Sequence, residues 1–185
     1  MANKKLNKQK KRATQARRAA AANGSTSKAS PQEPLLMLRS QLLLDSENLY
    51  DKVLVDAECT HDGSLKHILK YNHIGWEQFE GKFLNPERLS SLCSLQRGLL
   101  SNGFRLLRPG GSLVYSTCSF SRAQNEDIVA WFLEAEGGNA SLVAVDRSLL
   151  PDESCYSQFL QGTVRFDPVL HGTSGLFVAK LTKRS

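Results

Sequence analysis

Acidic residues are missing from the first 32 positions of this 185-residue chain, a stretch that holds nine lysines and arginines. The formal net charge of +6 therefore belongs to that stretch, and the remainder of the chain sums to −3. No apolar run approaches the roughly 20 residues of a membrane span, and no short apolar core with a cleavage site marks a signal peptide. A soluble protein with no membrane partner is the expectation. Closely spaced cysteines are lacking too: Cys59, Cys93, Cys118 and Cys155 stand 34, 25 and 37 positions apart. That spacing is not the ligand pattern of a zinc motif, and with no sign of secretion it predicts reduced thiols inside a cell. No internal repeat is visible.

What is present divides the chain. Residues 1–34 read as a disordered basic tail, with Lys4-Lys5, Lys10-Lys11-Arg12 and Arg17-Arg18 followed by alanines and a Gly/Ser/Thr stretch. Such a tail fits an RNA-contacting arm or a nuclear or nucleolar address, and equally a solvated tail with neither role. Cytoplasm and mitochondrion are the alternatives; a mitochondrial leader suits it less, because it is lysine-heavy without an apolar face. Residues 35–49 are leucine-rich and predict a short helix or a linker. Residues 50–185 then alternate strands with helices. Val53–Asp56 has the continuous apolar run of a buried parallel strand, and a long loop is expected from Glu58 to about Phe83. Asn85-Pro86-Glu87 opens a helix whose core stripe is read as Leu89, Leu92, Leu95-Gln96, Leu99 and Leu106. A strand over Leu113–Thr117, a helix over Gln124–Ala135 and strands near Leu142–Val145, Val164–Phe166 and Leu176–Ala179 complete an α/β pattern, its last strand antiparallel.

Two apolar strands end at cysteines. Side chains at the carboxyl ends of strands in an α/β sheet face the ligand crevice. Cys118 follows Leu113-Val114-Tyr115-Ser116-Thr117 just before a helix, whose positive end would lower a thiol's pKa. Cys59 follows Val53-Leu54-Val55-Asp56 by three residues. Either thiol alone is more often a buried structural residue. Cys93 and Cys155 are read as structural. His61, His67 and His73 in the loop after Cys59 invite a metal or acid-base reading, but, six apart, they are not a helical ligand pair, and a solvated or RNA-facing loop is favoured, with Trp76 and Phe79 packing that loop onto the body in preference to stacking on a base.

Asp56-Ala57-Glu58-Cys59-Thr60 and Tyr115-Ser116-Thr117-Cys118-Ser119, with Gln124-Asn125-Glu126, resemble two signature motifs of the Nol/Nop/Sun-type RNA cytosine-5 methyltransferases. Leu95-Gln96 and the closing His171-Gly172-Thr173-Ser174-Gly175-Leu176-Phe177 match the same pattern, so the resemblance covers about residues 50–182. It implies a Rossmann-like sheet, S-adenosyl-L-methionine as methyl donor, and a cytosine in ribosomal or transfer RNA as target. It also implies a covalent mechanism, with Cys118 as nucleophile at C6 and Cys59 assisting proton removal and release. Asp56 would contact cofactor or base, and Ser116, Thr117 and Asn125 the substrate. No metal is implied.

Two departures qualify this. The family usually has proline before its first cysteine, where Glu58 stands here, a carboxylate expected to raise the pKa of Cys59. The glycine-rich cofactor loop of such a fold should precede Asp56, yet that part of the chain holds one glycine, Gly24. The reading is then the C-terminal part of a methyltransferase domain with its first strands absent. The alternatives are a non-catalytic RNA-binding or assembly protein, or a truncated product; a redox or zinc role ranks far behind. A protein partner or second copy completing the sheet is expected. Burying a side chain such as Val53, Leu54 or Val55 stabilises by roughly 1.5–3 kcal/mol, against a net domain stability of about 5–15 kcal/mol. The isolated chain is therefore expected to melt broadly, at low temperature or with aggregation; a sharp cooperative transition at high temperature in calorimetry would refute this.

Overall fold

The computed structural model describes residues 49–184. The tail expected at residues 1–34 and all but Leu49 of the segment expected at 35–49 lie outside the described residues. The elements are β1 (Tyr50–Asp56), α1 (Leu65–Tyr71), α2 (Trp76–Phe83), α3 (Pro86–Arg105), β2 (Leu107–Thr117), α4 (Glu126–Ala135), β3 (Ala140–Val143), β4 (Val164–Phe166), α5 (Pro168–His171) and β5 (Leu176–Lys183). One sheet runs β1-β2-β5-β3, with β4 also on β5. β1 and β2 are parallel, while β5 pairs antiparallel with β2, β3 and β4. This is the mixed α/β sheet expected, antiparallel last strand included. Among the described residues no helix is long and apolar enough to cross a membrane.

α3 starts where its capping residues dictate. The Asn85 side chain accepts the Arg88 backbone N–H at 2.8 Å, and Pro86 fills the first turn, where no amide is needed. Leu92, Gln96, Leu100 and Phe104 recur every four residues and are buried against the sheet. Leu95 and Leu99, expected in that stripe, are 43% and 37% exposed. Leucines occur on several sides of this helix, and contact with β1 and β2 selects one of them. Close approach occurs at Gly103, where a Cβ would stand 2.6 Å from Val55 Cγ2 and 3.3 Å from Leu113 Cδ1. Phe104 meets Phe132 of α4 edge-on at 5.0 Å between ring centres, closing the core over this face.

Two local expectations are corrected. β1 is not buried on both faces: Val53 and Val55 are partly buried under α3, but Leu54, pointing the other way, is 69% exposed. It is the terminal strand among the described residues. The segment expected as a loop from Glu58 to Phe83 folds into α1 and α2. There Tyr71, Trp76, Phe79 and Phe83 form an aromatic cluster in which Phe79 is buried and Trp76 is 65% exposed.

A buried ion pair ties α4 to β4. Arg165 Nε donates to Glu126 Oε1 at 2.6 Å and its Nη2 to Oε2 at 2.5 Å, while Ser157 also donates to Oε1. Arg165 Nη1 reaches on to the Phe120 carbonyl at 3.0 Å, just beyond Cys118. Burial pushes the Glu126 carboxyl up, but the hydrogen bonds from Arg165, Ser157 and the backbone outweigh it and hold the group below the usual carboxylate value.

These contacts generate two predictions. Gly103→Ala should destabilise by about 1–2 kcal/mol, because stiff Val55 cannot yield. Gly98→Ala, in the same helix with nothing within 4 Å of its added methyl, should stabilise by up to about 1 kcal/mol; denaturant titration of both variants checks the opposite signs. Arg165→Leu should cost about 3 kcal/mol or more. In the parent, Glu126 contributes stability above the carboxylate range that is lost as pH falls through its lowered value. In Arg165→Leu the charged partner is gone and only the bonds from Ser157 and the backbone oppose burial, so the value should rise and stability should recover as pH falls toward the mildly acidic range. Paired melts at neutral and mildly acidic pH read this reversal.

Candidate active site

The site is built by register. Asp56 of β1 lies opposite Ser116 of the parallel β2, so both strands end together and their following loops share one edge of the sheet. The loops are then laced to each other. The Gly63 N–H donates to the Cys118 carbonyl at 2.9 Å, and the Gly175 N–H donates to the Gly63 carbonyl at 2.8 Å. Any Cβ at Gly63 would stand 2.7 Å from the Cys118 carbonyl oxygen. Beneath them, Gln124 Oε1 accepts the Thr60 N–H at 3.1 Å, and its Nε2 donates to Thr60 Oγ1 and Ser119 Oγ, each at 3.0 Å. Gln96 of α3 donates to the Glu58 carbonyl at 2.8 Å. These two buried amides occupy the backbone and hydroxyl groups that burial would otherwise orphan.

The lacing brings Cys59 Sγ within 3.4 Å of Cys118 Sγ. Cys59 is 1% exposed, whereas Cys118 is only partly buried. Asp56 is exposed at the strand end and accepts the Ser116 hydroxyl at 2.9 Å. Cys59, Cys118, Asp56 and Ser116, all singled out from the sequence, thus converge. Thr117 and Asn125 do not reach this surface. Both are fully buried; Thr117 Oγ1 donates to Asn125 Oδ1 at 2.5 Å and Asn125 Nδ2 donates to the Ser119 carbonyl at 2.8 Å. The expectation that they touch substrate is corrected: they shape the Cys118 loop from below.

The thiols titrate as a pair. A hydrogen bond from Cys118 favours ionisation of Cys59 and, against burial, holds the Cys59 thiol below its ordinary value. The same bond, then burial and the charge on Cys59, push the Cys118 thiol up. Two sequence expectations fail here. Glu58 is not among the chief causes acting on Cys59, whose value falls; its carboxylate stands 4.0 Å from Arg88. The helix after Cys118 does not lower that thiol, because α4 begins only at Glu126 and its first turn carries Glu126 and Asp127.

His61 is the residue that sequence reasoning ranked too low. Expected in a solvated or RNA-facing loop, it lies with Nδ1 3.1 Å from Cys118 Sγ and 3.7 Å from Cys59 Sγ. Its ring stacks on His67 at 4.4 Å, and burial, then the charge of His67, holds it below the usual histidine value. Its backbone turns it there: φ is +57°, a left-handed conformation uncommon outside glycine that no sequence pattern announces. Cys93, partly buried, donates weakly to the Ala123 carbonyl at 3.5 Å. Cys155, read as structural, is buried with Sγ 3.4 Å from His171 Nε2.

For a methyl donor, the described residues present one exposed strand-end acid, Asp56, and no glycine-rich cradle. Gly63, Gly103 and Gly111 are each closed off by neighbouring atoms.

The sequence profile described as 16S rRNA methyltransferase RsmB/F matches residues 21–182. The chain is 31% identical over 144 residues to the ribosomal RNA small subunit methyltransferase F of Salmonella paratyphi A, covering 74% of this chain and 26% of that protein. It is 34% identical over 137 residues to the protein of that name from Shewanella loihica, covering 72% and 25%. Among solved structures it resembles PH0851, with a TM-score of 0.59 and 36% identity over 74% of this chain and 27% of that one. It also resembles NSun6 from Pyrococcus horikoshii, solved with SFG, with a TM-score of 0.56 and 27% identity over 71% and 29%. The chain therefore spans about a quarter of the length of the curated relatives it matches. Their bacterial sources lend no support to a nucleolar address. The parallel β1–β2 pair with its two strand-end thiols and the match over most of its length place this chain in the RsmB/F family of RNA methyltransferases.

Proposed function

We propose that this chain forms the target-base side of an RNA cytosine-5 methyltransferase, with Cys118 as nucleophile and Cys59 as its partner. The observation that supports this most is the Cys59–Cys118 contact of 3.4 Å at the ends of adjacent parallel strands, the more accessible sulfur being Cys118. Cytosine C5 is a poor nucleophile. Addition of the Cys118 sulfur to C6 makes C5 enamine-like, and the thiol proton leaves to His61 Nδ1, 3.1 Å away, so that Cys59 stays ionised. S-adenosyl-L-methionine, the donor that the family implies, would supply the methyl group when bound. Cys59 as thiolate then takes the C5 proton while the Cys118–C6 bond breaks and the ring double bond returns. Asp56, held by Ser116, faces the base edge or the donor. A paired target must first leave its stack. The family description and the relatives' names favour a ribosomal RNA as substrate.

The second reading, a non-catalytic RNA-binding or assembly protein, is favoured by a single observation: Asp56 is the one candidate donor contact among the described residues.

RNA containing 5-azacytidine separates the two. The parent should form a denaturation-resistant adduct and Cys118→Ala none; on RNA with ordinary cytosine and the methyl donor, Cys59→Ala should hold an adduct whose release is slower by on the order of 100-fold. A folded parent chain that binds the 5-azacytidine RNA without any adduct would establish the binding reading.

A further inference from the structure

His61 does more than lie within reach of a thiol proton: with the two thiols it completes a set of three soft donors. Cys59 Sγ, His61 Nδ1 and Cys118 Sγ lie 3.4, 3.1 and 3.7 Å apart. The triangle they define has a circumradius of about 2.0 Å, so a cation about 1 Å off its plane stands about 2.2 Å from all three atoms. Zinc takes thiolate at about 2.3 Å and imidazole at about 2.0–2.1 Å, and two cysteines with one histidine leave it an open fourth position. We propose that Cys59, His61 and Cys118 form a site for one soft divalent cation of the zinc class, whose binding excludes the use of Cys118 as a nucleophile.

The donor set selects the cation. Among divalent ions, two thiolates and an imidazole favour zinc and not magnesium or calcium, which take oxygen ligands. Binding is an exchange without redox chemistry: one cation enters, two thiol protons leave, and both sulfurs donate a lone pair to the metal. A sulfur so engaged is not free to attack carbon.

The loop is arranged for this. His61 takes up φ +57°, at a cost of about 1–2 kcal/mol for a residue with a Cβ. Its ring is steadied by stacking at 13° on His67, whose Nδ1 is in turn 2.9 Å from Ser64 Oγ. The Gly63–Cys118 hydrogen bond fixes the two loops against each other, so the three donors are held together before any metal arrives. Asp62 is not a fourth ligand: its carboxylate is taken up by the Thr60 hydroxyl and the Phe120 N–H.

A second cluster, Asp152, Cys155 and His171, shows what an unsuitable arrangement looks like. His171 Nδ1 accepts the Asp167 N–H at 2.8 Å, so its proton sits on Nε2, the nitrogen facing Ser154 Oγ at 2.9 Å and Cys155. Ligation through Nε2 would move that proton to Nδ1, against another donor. His61 Nδ1 faces only the two sulfurs.

The test uses the full chain, reduced and stripped of metal, titrated anaerobically with Co2+ alone. One equivalent should give thiolate-to-cobalt charge transfer in the near ultraviolet and visible bands of tetrahedral intensity, both abolished by Zn2+. Bound Zn2+ should also protect Cys118 from iodoacetamide until a chelator is added. His61→Gly, which relieves the left-handed backbone and so keeps the fold, should weaken binding by on the order of 100-fold, since even partners behind a ligand are worth about 10–100-fold. Cys155→Ser should bind like the parent. Absence of the charge-transfer band, unchanged affinity in His61→Gly, or loss of binding in Cys155→Ser would each overturn the proposal. Neither RNA nor methyl donor takes part, so failure here is distinct from failure of the methyltransferase reading.

Discussion

Parallel pairing of β1 with β2, in the register that sets Asp56 beside Ser116, is the constraint on which the site depends. A slip of one residue would turn every side chain of one strand to the opposite face. Val53 and Val55 would then leave α3, and the two loops would no longer meet. Core packing and site geometry are therefore one condition. The tight fit of Gly103 against Val55 and Leu113 holds the register that places Cys59 against Cys118.

Polar groups do the remaining positioning. Gln96, Gln124, Asn125 and Thr117 are completely buried and bond to the two cysteine loops and to one another. Each would be costly inside the protein without partners, and apart from the unpaired Gln96 Oε1 each polar end has one. The Gln-Asn-Glu run after Cys118 is thus understood piece by piece. Gln124 joins the loops, Asn125 shapes the turn through Ser119, and Glu126 fixes Arg165, which holds the Phe120 carbonyl.

Much of this was legible in the sequence. The apolar runs before Cys59 and Cys118, the Asn85-Pro86 start of α3 and the antiparallel final strand carry local signals that the tertiary structure does not override. Three things were not legible. α1 and α2 hold Gly75 and Gly81 near or within them and cluster their aromatics without clean helical periodicity, so the segment read as loop. In α3 leucines at 92, 95, 99 and 100 allow more than one core face, and only contact with β1 and β2 decides. His61 was judged by its spacing to other histidines along the chain. Its actual neighbours are a residue two positions back and one 57 positions on, and a left-handed backbone angle leaves no mark on composition.

β5 occupies the middle of the sheet, yet it follows in sequence every strand it joins. During synthesis β1 and β2 emerge long before the strand that completes β2's hydrogen bonding, and Gly175, which laces the Gly63 loop, also comes late. The contacts that assemble the thiol pair are thus among the least local in the chain, the class that folds slowly and leaves edges exposed meanwhile. A ribosome carrying this chain bears two unsheltered cysteines until its C-terminal strand is made, so the nascent protein, more than the finished one, calls for a reducing environment and a chaperone's cover.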